Sequence, residues 1–156
     1  MKLYLLRHGL ADWPDWKRPD DERPLTAEGR KTTRRMAKHL HQLQAQPAVV
    51  LSSPLPRAWE TAEITAELLE LELREENALG PGFNAAKFRR IIEENRGKDL
   101  MLVGHEPDFS AVVRALTGGD VKLAKGGITR IDLAPNRKTG RLIWLIPPKA
   151  AKGRRA

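Results

Sequence analysis

Three short apolar runs in this chain each end in a basic or imidazole side chain, and that repetition limits the folds open to it. Lys2-Leu3-Tyr4-Leu5-Leu6 leads into Arg7-His8-Gly9. Ala48-Val49-Val50-Leu51 leads into Ser52-Ser53-Pro54-Leu55-Pro56-Arg57, and Leu100-Met101-Leu102-Val103 into Gly104-His105-Glu106-Pro107. Short apolar runs bounded by Gly, Pro and Ser read as strands. Helical patterns lie between them, so the expected sheet is mainly parallel and covered on both faces. Ligands of such sheets bind beyond the carboxyl ends of the strands. If the three strands are neighbours, two arginines and two histidines meet in one pocket.

The intervening segments carry their own punctuation. Leu10 to Pro24 contains Pro14, Pro19 and Pro24 among charges, which rules out a continuous helix and predicts a loop at the mouth of that pocket. Thr26 reads as an N-cap with Glu28 in the first turn, and Thr33, Met36, Ala37, Leu40 and Leu43 or Gln44 form a buried stripe that Pro47 ends. Ser53-Pro54 predicts a second helix, capped by the serine and opened by proline at its first position, with Ala58, Ala62, Ala66 and Leu69 on its apolar side. Leu71 to Leu73 is a candidate short strand. Ala85 to Glu94 reads as a third helix ending near Gly97, and a fourth opens at Pro107 and closes at Gly118-Gly119. Ile128 to Leu133 and Leu142 to Ile146 predict a final antiparallel pair.

At 156 residues this is one α/β domain, expected over residues 1–148. A basic tail follows, residues 149–156, which holds four of the eight net positive charges and is expected to be disordered. With 40% hydrophobic and 31% charged residues the composition is that of a soluble globular protein. No cysteine is present, which excludes disulfides, thiolate metal sites and cysteine nucleophiles. The apolar run at the start is too short for a signal peptide and none could span a bilayer, so the expectation is a cytoplasmic protein without a membrane partner.

The chemistry follows from the residue types. A neutral imidazole can attack phosphorus and form a covalent phosphoenzyme. A transferring phosphoryl group spreads charge over three oxygens, so the protein must mainly position it and stabilise that charge. Arginine suits this task, because its guanidinium is always charged and bridges two oxygens. His8 and His105 are thus the candidate nucleophile and partner, and Arg7 and Arg57 the candidate clamps. Gly9 and Gly104 are expected to let the backbone approach the phosphate. No metal site is expected: the two arginines would repel a cation, and His39 and His41 lie two apart on a helix and cannot share a face.

Leu6-Arg7-His8-Gly9 resembles the Arg-His-Gly signature of the histidine phosphatase superfamily, which includes phosphoglycerate mutases. The likeness extends to Pro24-Leu25-Thr26-Ala27-Glu28-Gly29, to the Ser52 to Ala62 segment and to Val103-Gly104-His105-Glu106-Pro107, in the family's order. The short length is similar to that of SixA-type phosphohistidine phosphatases. The resemblance implies a Rossmann-like three-layer α/β/α sandwich of the phosphoglycerate-mutase type, a phosphorylated His8 surrounded by Arg7, Arg57 and His105, and no cofactor. Many members place an acidic proton donor in a Glu-x-x-x-Gly context, which Glu76 to Gly80 matches in spacing. Asp12 is the other candidate donor, and the alternative for Glu75 and Glu76 is a solvated acidic pair.

An alkoxide leaving group needs a strong proton donor, whereas a phosphohistidine imidazole, with an unperturbed pKa of about 6.5, needs less help. An uncertain acid therefore favours phosphohistidine on a protein as substrate. The alternatives are a small phosphate ester and, in another class, a non-catalytic module that binds phosphate or nucleic acid through the basic tail and Trp13 and Trp16. The scarcity of aromatic residues disfavours nucleic acid, and the lack of lid segments disfavours a mutase.

Overall fold

The computed structural model describes residues 1–151. Six strands form one sheet in the order β3-β2-β4-β1-β5-β6. They are β1 (Lys2–Arg7), β2 (Val49–Ser52), β3 (Leu73–Glu75), β4 (Leu100–Gly104), β5 (Ile128–Leu133) and β6 (Gly140–Ile146). The four helices are α1 (Ala27–Gln42), α2 (Pro56–Leu69), α3 (Ala85–Glu94) and α4 (Asp108–Thr117). β1, β2, β3 and β4 run parallel, and β5 and β6 add antiparallel at one edge. The sheet is therefore mainly parallel, and the three strands read from sequence are neighbours in the order β2-β4-β1.

Side chains that alternate along a strand point to opposite faces. Leu3, Leu5, Val49, Leu51, Leu100 and Leu102 pack with Phe88, Ile91, Ile92, Phe109, Val112 and Val113 of α3 and α4. Tyr4, Leu6, Val50, Met101 and Val103 pack with Met36, Leu40, Ala58, Ala62 and Ala66 of α1 and α2. Both faces of the central strands are thus filled, and the layers are helix, sheet, helix.

Most predicted boundaries hold, and three shift for local reasons. Thr26 Oγ1 accepts the Gly29 N–H at 3.0 Å and caps α1, whose buried stripe ends at Leu40; Leu43 and Gln44 are exposed. α2 begins at Pro56, not Pro54, because the second proline takes the first helical position and Leu55 is the cap. β3 starts at Leu73 because Leu71 still donates to Ala66 O at 2.9 Å, closing the end of α2 behind a left-handed Glu70. The expected tail also begins too early. Pro148–Ala151 form a 3₁₀ turn, and Ala151 is buried among the α1 and α2 side chains. Residues 152–156, the rest of that tail, lie outside the described residues.

Candidate active site

The sheet brings three junctions side by side. His8 follows β1, Ser53 follows β2 and His105 follows β4. The ladder continues one residue past the strands, with His8 N–H donating to Gly104 O and Ser53 N–H to Val103 O, both at 3.0 Å. The His8 and His105 rings lie 5.4 Å apart, centroid to centroid. Arg7 and Arg57 stand close enough for their charges to lower the pKa of both imidazoles. The four residues singled out from sequence therefore converge.

His8 is only 7% exposed, and its Nδ1 lies 2.8 Å from Gly9 O. A carbonyl can only accept, so Nδ1 carries the proton and the lone pair is left on Nε2. Burial, opposed by the Gly9 hydrogen bond and helped by the charges of His105, Arg57 and Arg7, pushes the His8 pKa down to about 3. The ring is neutral at physiological pH, the state a nucleophilic imidazole requires.

His105 is held by a residue that sequence reasoning assigned elsewhere. Ser53, expected as a helix cap, is fully buried and its Oγ lies 2.8 Å from His105 Nε2. The same oxygen accepts the Leu55 N–H at 3.2 Å, and Nε2 is the one acceptor described for its own buried proton, which is assigned there. The His105 proton then sits on Nδ1. Burial, the nearby Arg57 and, more weakly, Arg7 lower the His105 pKa to about 4, against an opposing pull from Asp21. An anion beside the ring would raise it again.

Four buried donors make no hydrogen bond among the described residues, and three of them, Arg7 Nε, Arg57 Nε and His105 Nδ1, lack even the nearby carboxylate that the fourth, Arg23 Nε, has. Buried donors are almost always paired, so three together mark a place suited to an anion. Each arginine is steadied by its other nitrogens. Arg7 Nη1 donates to Leu123 O at 3.0 Å, and Arg57 Nη1 lies 3.4 Å from Asp20 O. Burial, and then the charge of Arg23, lower the Arg57 pKa from its ordinary value. Arg23 is a second residue the sequence did not single out. Its Nη1 donates to Ala11 O at 2.6 Å, and its Nε pairs with Asp20 Oδ1 at 2.8 Å, though outside hydrogen-bond geometry.

The two glycines also have a packing role. Gly9 N–H donates to Thr61 Oγ1 at 3.0 Å, and a Cβ at Gly9 would come 2.9 Å from Thr33 Oγ1 and 3.3 Å from Gly29 O. A Cβ at Gly104 would come 2.9 Å from Phe109 Cζ. Both glycines admit a helix against the strand ends.

Both candidate donors have partners of their own in the fold. Asp12 Oδ2 accepts from Lys125 Nζ at 2.5 Å, and Oδ1 lies 3.7 Å from Arg23 Nη1. The Lys125 bond holds the Asp12 pKa below the ordinary carboxylate value, the opposite of what a proton donor needs. Glu76 Oε2 accepts the Ala78 N–H at 3.0 Å and caps a 3₁₀ turn, Asn77–Leu79. Trp13 and Trp16 pack on one another at 6.3 Å and donate to Pro24 O and Pro19 O. With Asp12, Arg18, Asp20 and Arg23 they line an open cavity of about 630 Å³ beside Arg57. Among the described residues no three His, Asp or Glu side chains gather as metal ligands would, and no helix is long and apolar enough to cross a membrane.

Comparison with known proteins agrees with this geometry. Residues 3–80 match the family model described as the histidine phosphatase superfamily, branch 1. An uncharacterised protein of Picosynechococcus is 37% identical over 138 residues, covering 82% of each chain. A protein histidine phosphatase SixA, solved with tungstate, superposes with a TM-score of 0.83 at 25% identity, covering 97% of this chain and all of that one. A putative phosphohistidine phosphatase SixA from Agrobacterium tumefaciens gives 0.82 at 22% identity, covering 94% and 97%. A mycobacterial glucosyl-3-phosphoglycerate phosphatase gives 0.70 at 19% identity, covering 90% and 96%.

Proposed function

Since the chain belongs to the histidine phosphatase superfamily and is a phosphatase of SixA-like fold, we propose that it removes phosphate from phosphohistidine on a protein, through a phospho-His8 intermediate. The observation that carries this reading is the state of His8. Its ring is buried and neutral, its Nδ1–H is committed to Gly9 O, and its Nε2 lone pair is free.

In the first step Nε2 of His8 attacks phosphorus and the P–N bond to the substrate imidazole breaks. The leaving ring departs neutral, because its other nitrogen already carries a proton when attack begins. Arg7, Arg57 and His105 donate to the three phosphoryl oxygens as charge builds on them. In the second step water attacks the phospho-His8 phosphorus, the P–Nε2 bond breaks and inorganic phosphate leaves with the proton that water gives up. His8 returns to its neutral form.

The substrate class follows from the acid. Alkyl phosphate cleavage needs a group that delivers a proton to the leaving alkoxide. Asp12 is ionised by Lys125 and Glu76 is engaged with the Ala78 N–H, so a leaving group that needs no such donor suits the site better. The test is kcat/KM for a phosphohistidine peptide against glycerol phosphate. The expected ratio is at least about 100 in favour of the peptide, the contribution general acid catalysis would otherwise supply. Equal or reversed values would move the assignment to a small phosphate ester.

A further inference from the structure

One helix carries an excess of charge that the chemistry above does not use. Lys31, Arg34, Arg35 and Lys38 lie within two turns of α1, while Gly29, Thr33, Met36, Ala37 and Leu40 are buried on the other side. At 100° per residue the four cations share the face away from the core. They are mutual neighbours at i,i+3 and i,i+4, and like charges at those spacings work against the helix. Arg18, Arg23, Arg74, Arg96, Arg130 and Arg137 each lie within 4.0 Å of a carboxylate. None of the four on α1 has such a partner among the described residues. Among the described residues the ion pair joining α1 to α2 is Arg30 with Glu60 at 2.9 Å. Glu63 and Glu67 of α2 are exposed and pair with nothing described.

The position of the stripe gives it a use. Thr26, the cap of α1, donates its N–H to Leu10 O in the loop that follows His8. The stripe therefore begins about one turn from the site's mouth and runs about 10 Å away from it, at 1.5 Å per residue. We propose that this face of α1 docks an acidic face of the phosphohistidine-bearing protein and so presents its phosphorylated ring to His8. This inference rests on the phosphohistidine reading. Nucleic acid fits less well, since α1 has no aromatic residue on which a base could stack. A second copy of the chain fits less well too: Leu43 and Leu68 are the large apolar side chains exposed on these two helices, too little for a stable apolar interface.

The test compares wild type with the quadruple variant Lys31→Gln, Arg34→Gln, Arg35→Gln, Lys38→Gln. The substrates are two helical peptides that differ only in a glutamate or a lysine face beside one phosphohistidine, and free phosphoramidate serves as the small substrate. Wild type should prefer the glutamate peptide, and the variant should lose about tenfold in kcat/KM for it, mostly through KM, as expected when electrostatic steering is removed. The difference should vanish at about 1 M salt, where charges are screened beyond about 3 Å. Unchanged phosphoramidate turnover shows that the variant is folded. Equal handling of the glutamate peptide by both proteins overturns the docking surface and leaves the substrate reading intact. Loss of oligonucleotide affinity or of self-association in the variant, with peptide kinetics unchanged, overturns it in favour of those partners. Turnover of an aryl phosphate but of neither peptide nor phosphoramidate overturns the substrate reading and the docking inference with it.

Discussion

Acid should destabilise this fold through His8. Its pKa is about 3 in the folded protein and about 6.5 in an unfolded chain. Above about pH 6.5 the ring is neutral in both states and contributes no pH dependence. Below that value the unfolded chain takes up a proton that the folded protein refuses, so stability falls as pH falls, down to about 3. The slope is about 1.4 kcal/mol per pH unit. At about pH 5 the loss is about 2 kcal/mol, a sizeable part of the 5 to 15 kcal/mol that holds a typical domain. The perturbation is His8→Asn, which keeps an N–H near Gly9 O and removes the titration. Urea unfolding at about pH 7 and about pH 5, in chloride buffer free of phosphate and sulfate, gives the difference. Wild type should lose about 2 kcal/mol more than the variant between the two conditions. An equal loss in both proteins would refute the claim that the fold holds His8 neutral.

Arg57→Lys keeps the charge but loses the planar fork, so kcat/KM for phosphoramidate should fall about 100-fold; a fall of less than about threefold would argue against a clamping role. Asp12→Asn should leave phosphoramidate turnover within about twofold, because Lys125 already holds that carboxyl ionised; a loss of 100-fold or more would restore Asp12 as the acid. Gly29→Ala would place a Cβ 2.2 Å from Leu10 O, a backbone atom, and should cost about 2 to 3 kcal/mol by urea midpoint. An unchanged midpoint would mean that the loop after β1 yields freely.

The parts of the fold that were legible are those in which one local signal decides the outcome. Strand identity at β1, β2 and β4 follows from buried apolar runs, and their order as neighbours brings His8 and His105 together. α3 has the expected bounds, Ala85–Glu94, with the break at Gly97 just past its end. The signal failed where two local rules competed. Ser53-Pro54 and Pro56 both announce a helix, and the second proline prevails, which frees the Ser53 hydroxyl for His105. Gly9 and Gly104 are glycines for reasons of packing against Thr33 and Phe109, contacts that no local pattern reveals. The same holds for Asp12: its partner Lys125 is 113 residues away, and only the closed sheet brings the two loops together. Arg23 escaped notice because its neighbours Asp20 and Arg57 meet it only in the folded state.

The most direct test of the account is the intact mass of the protein after brief exposure to phosphoramidate, quenched without acid, for wild type and His8→Asn. A single phosphate adduct is expected on wild type, mapped to His8, and none on the variant. An adduct on another residue, or turnover by the variant at the wild-type rate, would contradict it.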